Sequence, residues 1–448
     1  MSTPKTYYFI GIGGIGMSGL AQLLHSRGAR VSGYDKTSSP LTDTLVNLGI
    51  EVVFDEQLEA LPPAAQGSDV EVIYTPAVPA SHPQLQYFQQ QGFSVRKRAV
   101  FLNDLVQASR CLAVAGTHGK TTTTSILTHM LVRADQEFTA YLGGVMQGYD
   151  TNLIDRGSVY SVAEADEYDR SFLQLHPEMA VITALDPDHL DIYKTPEAME
   201  DSFRQFASQV KSQLIVREGL PFDGIHYGFS PEAEYRISNI RVEDAGYRFD
   251  LWEGETLVPQ VFFNLMGRHN LLNALGAYTL ARQLDLPREA LLAALADFPG
   301  VYRRMNVYSN NNRFLIDDYA HHPEEVRAVL QTVEEHFSGQ HKTVVFQPHL
   351  FSRTQDFMDE FATVLSAFDR VILLDIYPAR EEPIEGVTSA ALLHKITQTD
   401  KHLVAKQDLC AAIQSKTTDV LALLGAGDIG LEVKGIQKAW LKTENHEE

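Results

Sequence analysis

The sequence is poor in cysteine and tryptophan. Its 448 residues include only two cysteines, Cys111 and Cys410, and two tryptophans. Two cysteines cannot form a disulfide framework or a zinc ribbon, and Cys111 falls in an apolar run typical of a buried strand. A reducing environment fits this composition best. We therefore expect a cytoplasmic protein.

Positive charge and long apolar runs are also scarce. Lysine and arginine number 37 against 58 acidic residues, which gives a net charge of −21 and argues against nucleic acid or an acidic membrane as a partner. No apolar run approaches the length of about 18 residues that a membrane span needs. The apolar stretch at residues 7–15 is short and glycine-rich, unlike a signal peptide. We expect no membrane contact, and any anionic ligand must be held by local cations and backbone N–H groups.

A phosphate-binding loop is predicted at residues 113–121. An apolar run there ends at Gly116 and Gly119, and Lys120 and Thr121 precede a helical pattern. Such glycines let backbone N–H groups surround phosphate oxygens, while the lysine neutralises charge and the threonine can hold Mg²⁺. The loop is shorter than the usual motif, since Val114 stands five residues before Gly119. The alternative, a glycine turn beside an exposed lysine, explains poorly why four threonines follow.

A second glycine-rich turn opens the chain. Gly11, Gly13 and Gly16 follow an apolar strand pattern at Gly-x-Gly-x-x-Gly spacing, and Asp35 ends the next predicted strand. This pattern is typical of a Rossmann-like site for a diphosphate nucleotide, without showing which nucleotide. The alternative is a tightly packed turn without a ligand. Thr75 lies where another predicted strand ends, and its loop suits either a structural role or a contact with a sugar or phosphate.

Polar residues follow further predicted strands. Glu164 stands where a nucleotide hydrolase would hold Mg²⁺. In the run Asp-Pro-Asp-His, His189 suits a metal or phosphate contact, while the acids also suit a helix cap. Asn270 lies at a predicted helix start, where capping competes with nucleotide contact. The arginines at 303 and 304 suit a phosphate clamp or a solvated face.

The order of elements predicts an α/β fold with three domains. They are a Rossmann-like domain at residues 1–108, a central P-loop ATPase domain with a mostly parallel sheet at 109–299, and a Rossmann-like α/β domain at 300–448. Residues 227–261 suggest a small antiparallel insertion. Four apolar strands in the last domain, at residues 314–316, 343–346, 371–374 and 420–424, each precede a polar loop. Their loops should share the ligand-binding edge of one sheet.

Over nearly its whole length the chain resembles the ATP-dependent Mur ligases. The motifs that carry the resemblance are Gly11-Ile-Gly-Gly-Ile-Gly-Met-Ser18, Gly116-Thr-His-Gly-Lys-Thr121, Glu164-Ala-Asp-Glu167, Asp188-His189, Gly267-Arg-His-Asn270, Asp317-Asp-Tyr-Ala-His-His-Pro323 and Gly425-Ala-Gly-Asp-Ile429. The likeness is strongest to members that join L-alanine to the lactyl carboxylate of UDP-N-acetylmuramate through an acyl phosphate. It implies ATP as co-substrate, Mg²⁺ as cofactor and a role in peptidoglycan precursor synthesis. We expect a monomer or a homodimer.

The resemblance also implies roles for individual residues. The UDP-sugar contacts would be Gly11, Gly13, Gly14, Ile15, Gly16, Ser18, Asp35 and Thr75. The ATP contacts would be Gly116, Thr117, His118, Gly119, Lys120, Thr121, Thr122, Asn270, Arg303 and Asp318. The metal ligands would be Thr121, Glu164 and His189. The catalytic set would be Lys120, Glu164, His189, His321 and Arg353, with the last two facing the amino acid.

The sequence departs from the family pattern at two places. Leu350 stands where many relatives carry a basic residue, which leaves more of the amino-acid binding to Arg353. No lysine occurs at residues 203–205, so we predict no carbamylated lysine there.

Three alternative functions remain. A ligase that recycles a murein tripeptide shares most motifs, although residues 171–177 favour the L-alanine enzyme. An NAD-dependent dehydrogenase leaves the phosphate loop unexplained. A P-loop ATPase that performs mechanical or partner-binding work leaves the first glycine turn and the last domain's loops unexplained.

Overall fold

The computed structural model describes residues 5–186, 190–379 and 381–441, which form two compact units. The first unit contains the chain up to Ser238, with Asp250–Val261 and Leu272–Pro299. The second contains Asn239–Phe249, Phe262–Leu271 and the chain from Gly300 onward. In the described part of the chain, no helix combines the length and apolar character needed to cross a membrane.

The first sheet lies at the amino-terminal end of the first unit. Its elements are β1 (Thr6–Ile10), α1 (Ile15–Ser26), β2 (Arg30–Tyr34), α2 (Pro40–Asn47), β3 (Glu51–Val53), β4 (Val70–Tyr74), α3 (Pro83–Gln90), β5 (Ser94–Lys97) and α4 (Arg98–Val106). The strands are parallel in the order β3-β2-β1-β4-β5. Central β1 is buried because a parallel sheet packs helices on both faces. The Rossmann-like prediction is confirmed, and the loops after β1, β2 and β4 lie at one edge.

The second sheet carries the phosphate loop. Its elements are β6 (Arg110–Ala115), α5 (Lys120–Arg133), β7 (Phe138–Met146), β8 (Thr151–Asp155), β9 (Tyr160–Ala165), β10 (Met179–Ile182), α6 (Leu190–Tyr193), α7 (Pro196–Ser208), β11 (Gln213–Arg217), β12 (Ile225–Gly228), β13 (Tyr235–Glu243), β14 (Gly246–Glu253), β15 (Thr256–Phe263), α8 (Arg268–Arg282) and α9 (Arg288–Ala296).

The ten strands of this sheet follow the order β15-β14-β13-β12-β11-β10-β6-β9-β7-β8. The pairs from β11 to β7 are parallel, and β7 and β8 are antiparallel. Two-residue links join β13 to β14 and β14 to β15, and links this short occur only between antiparallel neighbours. The mostly parallel sheet and its antiparallel insertion are therefore as predicted.

One apolar core serves both sheets of the first unit. It contains Phe9, Met17 and Phe101 from the first sheet's elements together with Phe172, from the segment after β9, and Phe203 on α7. A hydrogen bond also connects the two sheets' elements, since the side-chain amide of Asn152 on β8 donates to the carbonyl of Ile15 in α1. The two glycine loops are thus held by one packed framework. The proposed boundary at residue 108 stays a prediction.

The third sheet lies in the second unit. Its elements are β16 (Asn306–Asn310), β17 (Arg313–Asp318), α10 (Pro323–His336), β18 (Lys342–Phe346), α11 (Phe351–Asp356), α12 (Met358–Leu365), β19 (Arg370–Leu373), α13 (Ser389–Lys395), β20 (Lys401–Leu403), α14 (Leu409–Gln414), β21 (Val420–Leu424) and α15 (Val433–Ile436). The order is β16-β17-β21-β18-β19-β20, parallel except for β16. The four predicted strands are β17, β18, β19 and β21, and their loops share an edge as predicted.

Candidate active site

The phosphate loop closes sharply between β6 and α5. Gly116 has φ +137° and Gly119 has φ +84°, a region that side chains with a β-carbon rarely adopt. The Thr117 N–H donates to Ala184 O, and the Thr183 hydroxyl donates to His118 O at 2.5 Å. The loop after β10 therefore fixes the phosphate loop from the side, as a strand–loop–helix phosphate site requires.

Lys120, the first residue of α5, is partly buried against an acid. Its Nζ lies 2.7 Å from Glu167 Oε2 and also donates to Gly116 O at 2.7 Å. Burial lowers the pKa of Lys120, but the charges of Glu167, Asp166 and Glu164 raise it more, so its net pKa lies above the ordinary value. The lysine is therefore a firmly protonated cation held beside the loop.

Thr121 and Glu164 lie together next to Lys120. The Thr121 hydroxyl donates to Glu164 Oε2 at 3.2 Å, and the Gly143 N–H donates to Glu164 Oε1 at 2.7 Å. Parallel β6 and β9 are neighbours, so their ends meet at one edge. The structure thus brings together two of the three predicted metal ligands. His189, the third, lies outside the described residues. No group of three His, Cys, Asp or Glu side chains forms a metal cluster among the residues that are described.

Asn273, which the sequence analysis left without a role, borders the loop. A β-carbon at Gly119 would collide with the Asn273 side-chain oxygen. Its spacing from Asn270 was the available signal, since residues three apart share a helix face. Asn270 itself is buried, and its side-chain amide donates to Met266 O at 2.7 Å. Its contact with ATP stays a prediction.

The first glycine turn is closed by its own neighbours. Gly11 has φ +88°, and a β-carbon there would lie 3.0 Å from the methyl carbon of Thr75. The Gly13 N–H donates to Asp35 Oδ2 at 2.7 Å. The structure therefore brings Thr75 and Asp35 to the loop. One Asp35 oxygen stabilises the turn by accepting the hydrogen bond from Gly13.

Two predicted UDP-sugar residues also have structural contacts. Ser18 is fully buried, and its hydroxyl donates to Ile15 O at 3.1 Å. The amide nitrogen of Asn152 donates to the Ser18 hydroxyl at 3.3 Å. Ser18 and Ile15 both lie in the first turn of α1. Their contacts with a UDP-sugar stay predictions.

Arg98 lies between the first glycine turn and the acidic turn that follows β9. A β-carbon at Gly16 would lie 2.5 Å from Arg98 Nη1, so the guanidinium packs on the glycine α-carbon. On its other side, Arg98 Nη2 lies 3.8 Å from Asp166 Oδ2, in the same acidic cluster as Glu164 and Glu167. Sequence reasoning missed Arg98 because neither glycine motif includes it. A cation next to the amino-terminal turn of α1 is well placed for an anion.

In the second unit, Arg303 is held by the glycine loop after β21. Its guanidinium donates to Gly427 O at 3.2 Å and to Gly425 O, and its Nε lies 3.6 Å from Asp317 Oδ1. Asp318 Oδ2 accepts from Met305 N at 2.6 Å. Burial raises the pKa of both Asp317 and Asp318 to about 6. Two acids with raised pKa values therefore lie at the end of β17, and Asp317 is close to Arg303.

The remaining predicted residues lie on nearby loops of the second unit. The His321 ring centre is 5.8 Å from that of His349, which stacks on Tyr377 at 5.8 Å. Arg353 on α11 is buried. Leu350 has φ +71°, and its N–H donates to Tyr377 O at 3.0 Å. The structure brings His321 to the loop that contains Leu350, while the roles of His321 and Arg353 stay predictions.

Comparison with known proteins identifies the family. Residues 6–110 match the family model described as the Mur ligase family catalytic domain, residues 114–281 the Mur ligase middle domain, and residues 303–429 the Mur ligase glutamate ligase domain. A UDP-N-acetylmuramate–L-alanine ligase of Flavobacterium johnsoniae is 46% identical over 437 residues, which cover 97% of both chains. The chain belongs to the Mur ligase family. A ligase of the same name from Porphyromonas gingivalis is 44% identical and covers 95% of this chain and 96% of its own.

Solved structures of Mur ligases agree with the fold. The crystal structure of UDP-N-acetylmuramate–alanine ligase MurC from Thermotoga maritima superposes with a TM-score of 0.84 at 26% identity, covering 98% of this chain and 100% of its own. A murein peptide ligase from Psychrobacter arcticus superposes with a TM-score of 0.73 at 21% identity and the same coverage, a likeness of fold alone. The three-domain α/β architecture of this Mur ligase is therefore confirmed.

Proposed function

We propose that this Mur ligase joins L-alanine to the lactyl carboxylate of UDP-N-acetylmuramate at the expense of ATP, in peptidoglycan precursor synthesis. The observation that carries the proposal is the grouping of Lys120, Thr121 and Glu164 where β6 and β9 end. It occurs in a chain 46% identical over its length to a UDP-N-acetylmuramate–L-alanine ligase. The activity is that of an amide-forming enzyme.

The reaction needs the carboxylate to be activated, since a carboxylate is a poor acyl donor. A lactyl oxygen attacks the γ-phosphorus of ATP, the bond to the β-phosphate oxygen breaks, and ADP leaves. The amine of L-alanine then attacks the acyl phosphate carbon, and a tetrahedral intermediate expels inorganic phosphate and loses a proton. Both reactants of the first step are anions, so catalysis depends on preorganised positive charge.

In the first unit, Lys120 supplies that charge from a fixed position. Its ion pair with Glu167 holds the ammonium beside the loop N–H groups, so little reorganisation accompanies ATP binding. Gly116 to Gly119 and the amino end of α5 surround the phosphates, with Thr117, His118 and Thr122 on the same loop and first turn. Glu167 acts as a positioning residue for Lys120.

The donor set next to Lys120 fits Mg²⁺. The Thr121 hydroxyl and the Glu164 carboxylate lie 3.2 Å apart and are hard oxygen ligands of the kind Mg²⁺ prefers. We propose that Thr121 and Glu164 hold the ion, with His189 as a further ligand. When bound, Mg²⁺ offsets the repulsion between the γ-phosphate and the attacking carboxylate.

The first glycine turn is the proposed site for the UDP-sugar. The amino end of α1 suits the diphosphate, with Gly14 and Ile15 in the turn and Arg98 beside Gly16. In the second unit, Arg303 and Asp318 are proposed to contact ATP, and His321 and Arg353 the amino acid. We place the reaction in the cytoplasm, where ATP is available, and expect a monomer or a homodimer.

The proposal is tested by ADP release from ATP, Mg²⁺ and UDP-N-acetylmuramate with three acceptors: none, L-alanine, and the tripeptide L-Ala-γ-D-Glu-meso-diaminopimelate. Release that depends on L-alanine is expected. Release with the tripeptide alone would assign the chain to the recycling ligases instead. Release without the UDP-sugar would leave only an ATPase.

A further inference from the structure

The start of α8 is tied to the last turn of α10 by a polar network that the proposed chemistry does not use. The Tyr247 hydroxyl donates to Glu335 Oε2 at 2.7 Å, and Arg268 Nε donates to Glu335 Oε1 at 2.9 Å. Tyr247 and Glu335 are 88 residues apart. All three residues lie in the second unit. Hydrogen bonds to an ionised group are about twice as strong as neutral ones, so Glu335 is a firm anchor.

The network fixes the backbone at Gly267, the residue before α8. The Gly267 N–H donates to the Tyr247 hydroxyl at 3.1 Å. Gly267 has φ +99°, and a β-carbon there would collide with the His269 ring and lie 3.0 Å from Thr332 Oγ1 on α10. The hydrogen bond on one side and the close packing on the other together fix the position of the Gly267 backbone.

Asn270 takes its orientation from the same short segment. Its N–H donates to Gly267 O at 2.9 Å, and its side-chain amide donates to Met266 O at 2.7 Å. Movement of Gly267 would therefore turn the Asn270 amide. An asparagine amide can pair with N6 and N7 of adenine, but only at a fixed angle and distance.

We propose that Tyr247, Glu335 and Arg268 are positioning residues for ATP: they hold Gly267 and thereby aim Asn270 at the adenine base. This inference rests on the proposed function and on the prediction that Asn270 is an ATP contact, which it places at the adenine base. It adds that recognition of the base depends on a helix of the third sheet, through Glu335 on α10. None of the three residues needs to touch the nucleotide.

The test compares Glu335→Gln and Tyr247→Phe with Asn270→Ala and the wild type. Glu334→Gln is the matched control, because it removes the same charge from the adjacent, exposed position. The measurements are KM for ATP, KM for UDP-N-acetylmuramate, kcat, and the ratio of kcat/KM for ATP to that for inosine triphosphate, which lacks the 6-amino group.

We expect Glu335→Gln and Tyr247→Phe each to raise KM for ATP by about threefold to tenfold, as expected for the loss of one hydrogen bond. The preference for ATP over inosine triphosphate should fall toward that of Asn270→Ala. The KM for the UDP-sugar and the Glu334→Gln enzyme should stay unchanged. Because the two variants remove different atoms, one that fails to fold leaves the other to decide.

Unchanged KM and unchanged nucleotide preference in both variants, with Asn270→Ala impaired, would overturn the positioning role. A loss of kcat and of affinity for every substrate alike would also overturn it and make the network purely structural. If Asn270→Ala keeps the wild-type preference for ATP, the role of Asn270 itself fails. Failure of the wider function is seen separately, as wild-type ADP release that does not need L-alanine.

Discussion

The ammonium of Lys120 lies 2.7 Å from Glu167 Oε2, and the Glu167 side chain is only 1% exposed. The pair therefore joins the first residue of α5 to a buried acid of the turn after β9. We expect removal of the lysine to affect both the reaction and the stability of the fold. Glu167→Gln separates the two effects, because glutamine has the shape of glutamate without its charge.

We predict that Lys120→Ala lowers ligation by on the order of 10² or more, because a preorganised charge on the transferred phosphate is lost. Its free energy of unfolding should fall by about 3 kcal/mol, since the buried Glu167 carboxylate loses the ammonium that lies 2.7 Å away. Lys120→Ala with Glu167→Gln should regain most of that stability but none of the activity. ADP release and urea unfolding measure the two effects. Recovered turnover in the double variant would contradict the role given to Lys120.

Gly16→Ala should displace the Arg98 guanidinium, because the new β-carbon would lie 2.5 Å from Nη1. We predict that Gly16→Ala and Arg98→Ala each raise KM for UDP-N-acetylmuramate by about tenfold, with little change in KM for ATP. The double variant should be no worse than Arg98→Ala, because both changes act on one guanidinium. Gly67→Ala is the control, since a β-carbon there has only Ala64 O near it, at 3.8 Å. Additive effects would mean that Arg98 and Gly16 act independently.

Gly119→Ala should weaken nucleotide binding for two reasons. The residue has φ +84°, which costs roughly 1–2 kcal/mol with a β-carbon. The β-carbon would also collide with Asn273. Adding Asn273→Ala should relieve only the collision, so ADP affinity measured by calorimetry should recover in part. Gly219→Ala is the control, because Gly219 has a similar φ of +82° but open space around it. This variant should keep the wild-type affinity for ADP. Equal affinities for the single and double variants would show that Asn273 does not crowd the loop.

Glu164→Gln and His189→Ala should each raise the Mg²⁺ concentration that gives half-maximal activity as well as lower the maximal rate. The reason is that each removes a proposed ligand, and the Glu164 oxygen lies 3.2 Å from the Thr121 hydroxyl. Activity titrated with Mg²⁺ at saturating ATP provides the measurement. An unchanged titration for either variant would return that residue to a structural role.

The stability of the second unit should depend on pH through Asp318. Burial raises the pKa of this carboxyl from 3.8 to about 6, so the folded state binds a proton more tightly than the unfolded state does. The stabilisation is complete below about pH 4 and is lost as pH rises through about 6. Between pH 4 and 7, the wild type should lose about 2–3 kcal/mol more than Asp318→Asn does. Urea unfolding at several pH values measures this difference, and parallel curves for the two proteins would contradict it.

The sequence alone determined the strands, the glycine turns and the strand–loop–helix order around Gly116 and Gly119. Apolar residues with strand or helix periodicity bury themselves wherever they occur, and glycine is needed at Gly11, Gly116 and Gly119 because the chain turns there with positive φ. The placing of Thr121 beside Glu164 followed from the same local rules, since the ends of parallel strands meet at one edge of a sheet. These features depend on short segments, which a sequence displays directly.

Only the tertiary structure decided which side chains meet across long separations. The sequence indicated Glu164 as a metal ligand but did not show which acid meets Lys120, and the path of the turn after β9 made Glu167 its partner. The packing of Arg98 against Gly16 and the hydrogen bond from Tyr247 to Glu335 cannot be predicted from the spacing of these residues in the sequence. Such contacts depend on how whole elements pack, because a shift of one helix by a single turn would give each charge a different neighbour.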